Sequence, residues 1–323
     1  MRIDPAIRAL RSDPGSQRRA HAAMTRAKAA WEAEPSVRAA LGQFVQYAAG
    51  EAVEELPALQ RLVTDHVFAR RAFVAWQEIF AKALREEPLA QIPYRHQFSN
   101  GLSVLQLAIA GEAALSILHY PAMPGTHPPP TACFADAERF EMVLEGSASA
   151  RMIRLEEWDR ITVEMLDLAG GDAMALTDDR ATRQVLASPT GLTMLRLSRT
   201  PASPRPSREY RLADGALVHQ ASGSRRDSQR EMMVAALGAM RHGKAAHALA
   251  GVAGERDASD HLRWQALSQC LCLDTATGYA ALAGLASDAD DTLAGPAGAL
   301  RAQLLEYHPA LSQLEKDTQP CPA

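Results

Sequence analysis

The first 90 residues follow a helical pattern of apolar positions. Apolar side chains recur there at spacings of three and four, with polar residues between them. Pro and Gly, which interrupt helices, break the pattern at Asp13-Pro14-Gly15, Glu34-Pro35-Ser36, Gly50 and Glu87-Pro88. The segment is predicted to form several amphipathic helices. Its longest apolar stripe, interpreted as core or inter-domain packing, consists of Leu56, Leu59, Val63, Val67, Phe73, Trp76, Phe80 and Leu84.

From about Phe98 the apolar period changes to two, which is typical of half-buried strands. Glycines separate the short runs at Gly111, Gly146, Gly170-Gly171 and Gly191. A further hairpin is predicted around Asp214-Gly215, because this pair tolerates the positive φ of a tight turn. Many short strands separated by turns predict a barrel or a sandwich. The predicted strands cover residues 105–109, 113–117, 140–144, 161–165, 173–176, 192–197, 209–212 and 216–219.

Helical character returns after Ser222-Gly223-Ser224, together with an internal repeat. The sequence ALAGVA at residues 248–253 recurs as ALAGLA at residues 281–286, and Asp227/Arg230 recurs as Asp260/Arg263, both 33 residues later. Two independent pairs at one period predict stacked helical hairpins. A weaker third copy is predicted from Asp288 through Leu300, Leu304 and Leu305.

These patterns predict an α+β multidomain chain. We expect an N-terminal helical domain over 1–95, a central β-barrel over 96–221, helical hairpins over 225–315 and a tail over 316–323. Alanine, which favours helices over strands, is abundant in both end segments and sparse in the middle, in agreement with this division.

Composition excludes several classes of protein. Hydrophobic residues make up 47% and charged residues 22% of the 323, as in soluble globular proteins. A formal net charge of −4 gives no electrostatic reason to bind nucleic acid. We find no membrane-length apolar run and no apolar leader, and we expect a cytoplasmic protein. The cysteines (Cys133, Cys270, Cys272 and Cys321) are spaced too unevenly for a disulfide framework or a zinc motif, so reduced thiols are expected.

Two segments of the middle region resemble the cupin superfamily. RFEMVLEGSA at residues 139–148 is similar to the end of the first cupin motif, and GDAMAL at 171–176 to the start of the second. The resemblance implies a small barrel of two β-sheets. In metal-binding cupins it also implies two closely spaced histidines, a carboxylate and a later histidine, which hold a divalent metal.

The chain departs from that metal-binding pattern. His127 is followed by three prolines, Glu141 lies close to its glycine, and Thr182 stands where the last histidine is expected. A displaced site for iron, manganese, nickel or zinc could use His119, His127 and Glu141, with Glu138 or Cys133 nearby. The alternative, which we favour, is that His119 caps a strand, His127 lies in a proline-rich connector and the protein has no cofactor.

Arginines suggest a second kind of site. Guanidinium groups clamp carboxylates and phosphates, and Arg180 and Arg183 follow the second motif, with Arg151 and Arg196 on neighbouring predicted strands. A pocket for a small anionic ligand is one interpretation, and ordinary surface Arg–Asp pairing is the other. Residues 94–98 (YRHQF) either line the barrel opening or, as we favour, dock the helical domain on the barrel. His66, which follows Asp65, is interpreted as a histidine packed at an interface.

The helical hairpins resemble HEAT-type repeats, judged from DHLRWQAL at residues 260–267 and from the ALAGLA segment. HEAT-like stacks imply a surface for a protein partner. Motifs of the serine-hydrolase, P-loop, Rossmann, HExxH and EF-hand types are missing from the sequence.

Three functional hypotheses follow. The first, which we favour, is a non-catalytic interaction or regulatory protein with a degenerate metal site that recruits a protein partner through its C-terminal helices. The alternative is a metal-dependent cupin enzyme, an oxygenase or isomerase, acting on a small organic acid held by Arg183. The third is a small-molecule sensor with an arginine-lined barrel. A homodimer formed through strand edges is also considered.

Overall fold

The computed structural model describes residue 7 and residues 13–99, 101–125, 128–157 and 160–314. The chain forms two compact units. The first extends to Ala202 and includes Arg208–Val218, and the second consists of Ser203–Ser207 and the chain from His219 onward. Among the described residues, no helix has the length and apolar character needed to cross a membrane.

The N-terminal part contains α1 (Pro14–Ala33), α2 (Pro35–Ala48), α3 (Pro57–Thr64) and α4 (His66–Glu86), with a short 3₁₀ turn at Val53–Glu55. Proline opens the first three of these helices, where its missing N–H has no intrahelical partner to lose. The Asp13 side chain caps α1 by accepting from the Gly15 amide at 2.8 Å.

The longest apolar stripe is divided at Asp65. The Asp65 carboxylate accepts a hydrogen bond from the Phe68 amide at 3.0 Å and so starts α4 as a new helix. The restart changes the helical phase, and the side chain of Val67, expected in the core, is 78% exposed. Leu59, Val63 and Phe73 are buried as predicted.

The β-region is antiparallel and lies between residues 95 and 221. Its larger sheet has the order β1-β2-β3-β9-β5-β6, with β7 and β8 also paired to β5, and a smaller sheet has the order β11-β10-β4. The strands are β1 (Arg95–Ser99), β2 (Leu102–Ala110), β3 (Ala113–Tyr120), β4 (Thr131–Phe134), β5 (Glu138–Leu155), β6 (Ile161–Ala169), β7 (Ala173–Leu176), β8 (Ala181–Ala187), β9 (Leu192–Arg199), β10 (Ser207–Arg211) and β11 (Leu217–Ala221).

The long strand β5 changes partners near its middle. Up to Gly146 it pairs with β9 and, over Arg139–Met142, with β7; from Ser147 it pairs with β6 and β8. Gly146 has φ +89°, and a Cβ there would lie 1.9 Å from the Gly191 carbonyl oxygen. Only glycine fits this turning point of the strand.

One hydrophobic core joins the N-terminal helices to the β-region. Trp31, Phe44 and Leu59 of the helical part share it with Leu115 and Met142 of the sheet. The first unit therefore contains both the N-terminal helices and most of the β-region. The opposite face of the sheet packs a second cluster, which includes Val143, Leu168 and Met194.

The second unit contains α5 (Arg225–Ala239), α6 (Ala246–Gly254), α7 (Asp260–Leu273), α8 (Thr275–Ser287) and α9 (Ala294–Tyr307), with 3₁₀ turns at Gly243–Ala245 and Pro309–Leu311. Helix α5 packs on α7, and α6 packs on α7 and α8. The two ALAG segments lie on α6 and α8, and the two Asp/Arg pairs lie on α5 and α7, so each copy of the sequence repeat falls on two successive helices.

Polar contacts in this unit repeat at a similar interval. The Asp227 carboxylate accepts from the Ser259 amide at 3.0 Å, and the Asp260 carboxylate accepts from the Thr292 hydroxyl at 2.7 Å. Arg263, with a side chain only 2% exposed, lies 2.5 Å from the Asp291 carboxylate. Each of these contacts links one helical segment to a segment about thirty residues further on.

Candidate functional site

The inner face of the larger sheet carries an unusual row of polar side chains. Strand register aligns Gln106, Ser116, Arg196 and Glu141 across β2, β3, β9 and β5. Side chains alternate along a strand, so Glu141 points away from the helix-facing neighbours Phe140 and Met142. The carboxylate therefore lies on the same face as the cluster that contains Val143 and Met194.

Two guanidinium groups clamp the Glu141 carboxylate. Arg183 places its Nε and its Nη2 each 2.9 Å from Oε2. Arg196 places its Nε 2.7 Å and its Nη2 2.5 Å from Oε1. The side chains of Glu141 and Arg183 are 1% and 2% exposed, and that of Arg196 is 26% exposed. Both oxygens are thus held by charge-assisted contacts away from bulk water.

Arg139 adds a third positive charge beside this clamp. It lies on β5, donates from Nη2 to the Ala181 carbonyl at 3.0 Å, and its pKa is lowered by burial and by repulsion from Arg196. We name Arg139, Glu141, Arg183 and Arg196 the arginine–glutamate cluster. It holds three guanidinium groups and one carboxylate, a net excess of positive charge in a buried place.

The cluster determines the ionisation of Glu141. Burial alone opposes ionisation, but the charges of Arg196 and Arg183 and their hydrogen bonds outweigh it and lower the pKa of Glu141 to about 2. Burial likewise opposes the charged form of Arg183, but the Glu141 carboxylate outweighs it and raises the pKa of Arg183. The pair is therefore ionised across the physiological pH range.

The residues predicted as a displaced metal site are not all brought together. His119 lies on the helix-facing side of the sheet, opposite to Glu141, and its Nδ1 is 3.1 Å from the Thr193 hydroxyl. His127 lies outside the described residues. Within the part of the chain that the structure describes, no group of three or more His, Cys, Asp or Glu side chains is placed to hold a metal ion.

Glu141 itself does not fit the role of a metal ligand. Each of its oxygens already contacts two N–H groups, so its lone pairs are directed at arginines. Three guanidinium groups around the carboxylate would also repel a cation. Of the other candidates, Cys133 is an exposed free thiol on β4, and Glu138 pairs with Arg199 at 2.8 Å.

Of the four arginines predicted to bind an anion, two meet and two do not. Arg183 and Arg196 converge on Glu141. Arg151 points to the other face of β5, where it donates to Gln184 Oε1 from Nε at 2.9 Å and to the Pro129 carbonyl. Arg180 donates from Nε to the Leu155 carbonyl at 2.7 Å and so braces the end of β5.

Sequence reasoning did not identify Arg139 as part of this site. The alternation of Arg139, Glu141 and Val143 on β5 was a usable signal, because it places the two charges on one strand face. Arg183 and Arg196 lie 42 and 55 residues after Glu141 in the sequence. They reach it only because their strands pair with β5, and this pairing cannot be read from the sequence.

The other singled-out residues serve as packing and capping groups. His66 Nε2 lies 3.0 Å from the Leu144 carbonyl oxygen and joins α4 to β5. Tyr94 packs edge-on against Trp31 and near Trp76, with ring centroids 6.4 Å apart in both pairs, at the junction of helices and sheet. Cys270 is buried and Cys272 is exposed, both as free thiols, and Cys321 lies outside the described residues.

Comparison with known proteins gives cupin folds among the solved structures. No protein-family model and no curated protein sequence matches this chain. The Momordica charantia 7S globulin is 17% identical, with a TM-score of 0.27, over 36% of this chain and 35% of the globulin. The chain thus matches about a third of the globulin's length.

Two further solved structures are cupins by name. The Schizosaccharomyces pombe Cnp3 cupin domain is 10% identical, with a TM-score of 0.26, over 34% of this chain and 70% of that domain. A cupin superfamily protein from Desulfitobacterium hafniense is 12% identical, with a TM-score of 0.24, over 32% and 83%. By its own elements the chain is an α+β protein, with helices at both ends and antiparallel sheets between them. At these TM-scores we draw nothing about function from the likeness.

Proposed function

We propose that this protein is a non-catalytic interaction or regulatory protein built on the cupin-like β-region, with HEAT-like C-terminal hairpins that recruit a protein partner. The observation that carries the proposal is the clamp on Glu141, the one described carboxylate among the three side chains predicted as a metal site. Its ion pairs with Arg183 and Arg196 give this residue a structural role.

The energetics of a buried ion pair support a structural role. Removing one partner of such a pair leaves an uncompensated buried charge, which costs roughly 3–5 kcal/mol. A carboxylate that gave up Arg183 or Arg196 to coordinate a metal would leave guanidinium groups in that situation. The metal-dependent enzyme of the alternative hypothesis would therefore need Glu141 to give up an ion pair and leave a buried guanidinium group without its partner.

The helical hairpins support the interaction part of the proposal. Met232 and Met233 of α5 and Met240, the residue that follows this helix, are 65%, 57% and 72% exposed. Methionine is enriched at protein interfaces because its flexible thioether adapts to different partners. These side chains offer an apolar contact surface along the C-terminal half of α5 and just beyond its end.

Metal analysis of the purified protein tests the proposal. We expect iron, manganese, nickel and zinc to remain far below one equivalent after incubation with each ion and desalting. Stoichiometric metal that is lost in either His119→Ala or Glu141→Ala, but kept in Glu164→Gln, a control at an exposed position of β6, would overturn the proposal in favour of the metal-dependent enzyme.

The excess charge of the arginine–glutamate cluster favours a second candidate function, the sensing of a small anion. Arg183 Nη1 and Arg139 Nε are buried and have no hydrogen-bond partner among the described residues. A buried N–H without an acceptor costs about 1–3 kcal/mol. A small carboxylate or inorganic anion between these groups would supply the acceptors and balance the charge.

Thermal denaturation with acetate, formate, chloride and phosphate tests the anion candidate. An anion at about one hundred times its dissociation constant should stabilise the protein by ~2.7 kcal/mol. Arg139→Gln should abolish the shift, whereas Arg154→Gln, at an exposed position of β5, should preserve it. A panel without any shift, or a shift that Arg139→Gln leaves intact, would contradict anion sensing.

A further inference from the structure

A cavity lies on the other face of the larger sheet, within the first unit. Helix α4, the segment 90–94 and the helix-facing side of β1, β2, β3, β5 and β9 line this open cavity, which has a volume of about 650 Å³. Sites for small molecules span about 300–1,000 Å³, so the cavity has the size of a ligand site. It is separated from the arginine–glutamate cluster by the sheet itself.

The floor of the cavity changes from apolar to polar between neighbouring cross-strand rows. One row places Leu105 beside Ile117. The next row, two residues along the strands, runs Ser103, His119, Thr193 and Glu145 across β2, β3, β9 and β5. Four adjacent polar side chains interrupt a sheet face that otherwise packs the helices with apolar side chains.

Aromatic rings of α4 form the opposite wall. Phe73 and Trp76 line the cavity and lie nearly parallel, with an interplanar angle of 7° and ring centroids 6.1 Å apart. Tyr94, from the segment 90–94, also lines the cavity, with its ring centroid 6.4 Å from that of Trp76. Flat aromatic walls above an Ile and a Leu favour a flat, apolar ligand body, because offset stacking adds to the burial of apolar area.

The charged residue in the lining favours a cationic head group on that ligand. Among the described residues that line the cavity, Glu145 is the only Asp, Glu, Lys or Arg. It stands at one end of the polar row, next to Thr193, whose hydroxyl is 3.1 Å from His119 Nδ1. A cationic group gains a partner at Glu145, and an anionic group meets repulsion there.

We propose that this cavity binds a planar aromatic amine, with its ring between the α4 aromatics and Ile117 and its ammonium group at Glu145. The proposal uses none of the residues of the arginine–glutamate cluster and does not depend on the function proposed above. It gives a role to His119 and Thr193 as positioning residues of the polar row.

Isothermal titration calorimetry with two matched probes tests the proposal on the full chain. Tryptamine and indole-3-acetate carry the same ring with opposite charges. We expect tryptamine to bind about tenfold more tightly than indole-3-acetate, a difference of ~1.4 kcal/mol. Glu145→Gln should bring the two affinities together, because it removes the charge and keeps the shape.

The matched control is Glu164→Gln, since Glu164 is an exposed glutamate on β6 outside the cavity. It should leave the tenfold preference unchanged. Absence of heat for both probes, equal or tighter binding of indole-3-acetate, or a preference that persists in Glu145→Gln would overturn the proposal. None of these outcomes would alter the metal content that tests the proposed function.

Discussion

Glu141 connects the ionisation of one residue to the stability of the first unit. Its pKa is lowered to about 2 by Arg196 and Arg183, which outweigh the effect of burial. In an unfolded chain a glutamate titrates near about 4.3. Because the folded pKa is the lower one, the carboxylate contributes its stability above about pH 4.3, and that contribution is lost as the pH falls through 2.

Acid unfolding of Glu141→Gln measures this contribution. The wild-type protein should lose about 3 kcal/mol of unfolding free energy from this residue between pH ~4.5 and ~2, since each pKa unit corresponds to ~1.36 kcal/mol. Glu141→Gln should be less stable at pH 7 and show a flatter pH dependence in that window. Urea titrations followed by circular dichroism give both slopes. A slope as steep as that of the wild type would contradict the assignment, and Glu164→Gln serves as the exposed control.

The arginines of the cluster should be far more sensitive to substitution than exposed ones. Arg183→Gln leaves Glu141 with one partner in a buried place and should cost roughly 3–5 kcal/mol. Arg211 pairs with Asp214 at 2.8 Å, but both side chains are about half exposed, so Arg211→Gln should cost at most about 1 kcal/mol. Equilibrium urea unfolding compares the two. If Arg183→Gln does not fold, the partly exposed Arg196 offers a milder variant, and equal losses at Arg196 and Arg211 would count against the cluster.

At the level of elements, the backbone conformation of Gly146 allows β5 to change its pairing partners. The residue has φ +89° and lies against the Gly191 carbonyl, so Gly146→Ala introduces both backbone strain and a steric clash. We expect a loss above about 2 kcal/mol, since such backbone strain alone costs about 1–3 kcal/mol. Gly111 has φ +53° with open space around it, so Gly111→Ala should cost only about 1 kcal/mol. Equal losses in urea unfolding would show that β5 bends without requiring glycine.

Strands with clear alternation were predictable from the sequence, and polar strands were not. The runs at 105–109, 113–117, 161–165 and 192–197 lie within β2, β3, β6 and β9. No strand was predicted over β8 (Ala181–Ala187), where Arg183 was considered either for anion binding or for ordinary surface pairing. Arg183 of this strand contacts Glu141, and Gln184 donates to the Thr131 carbonyl, both of which are distant in sequence. Local pattern cannot reveal a strand whose polar groups find non-local partners.

At the scale of the whole molecule, the return of helices after residue 224 was visible from the sequence, because helix formation there follows from local composition and pattern. The core shared by the N-terminal helices and the sheet could not be predicted from the sequence, because an apolar stripe does not indicate which element covers it. The clearest physical division is between this core and the separate core of the C-terminal helices, which includes Leu249, Leu262 and Tyr279. The two cores share no residue among those described.

Separate cores predict that unfolding takes more than one cooperative step. Arg263 and Asp291 form a pair 2.5 Å apart whose side chains are each 2% exposed, so Arg263→Met should destabilise the second unit by roughly 3–5 kcal/mol. Glu141→Gln acts in the first unit. In scanning calorimetry, we expect Arg263→Met to lower one transition and Glu141→Gln to lower the other. Hydrogen exchange should then accelerate only among the amides of the substituted unit. A single transition that both variants shift equally would mean that the two cores unfold together.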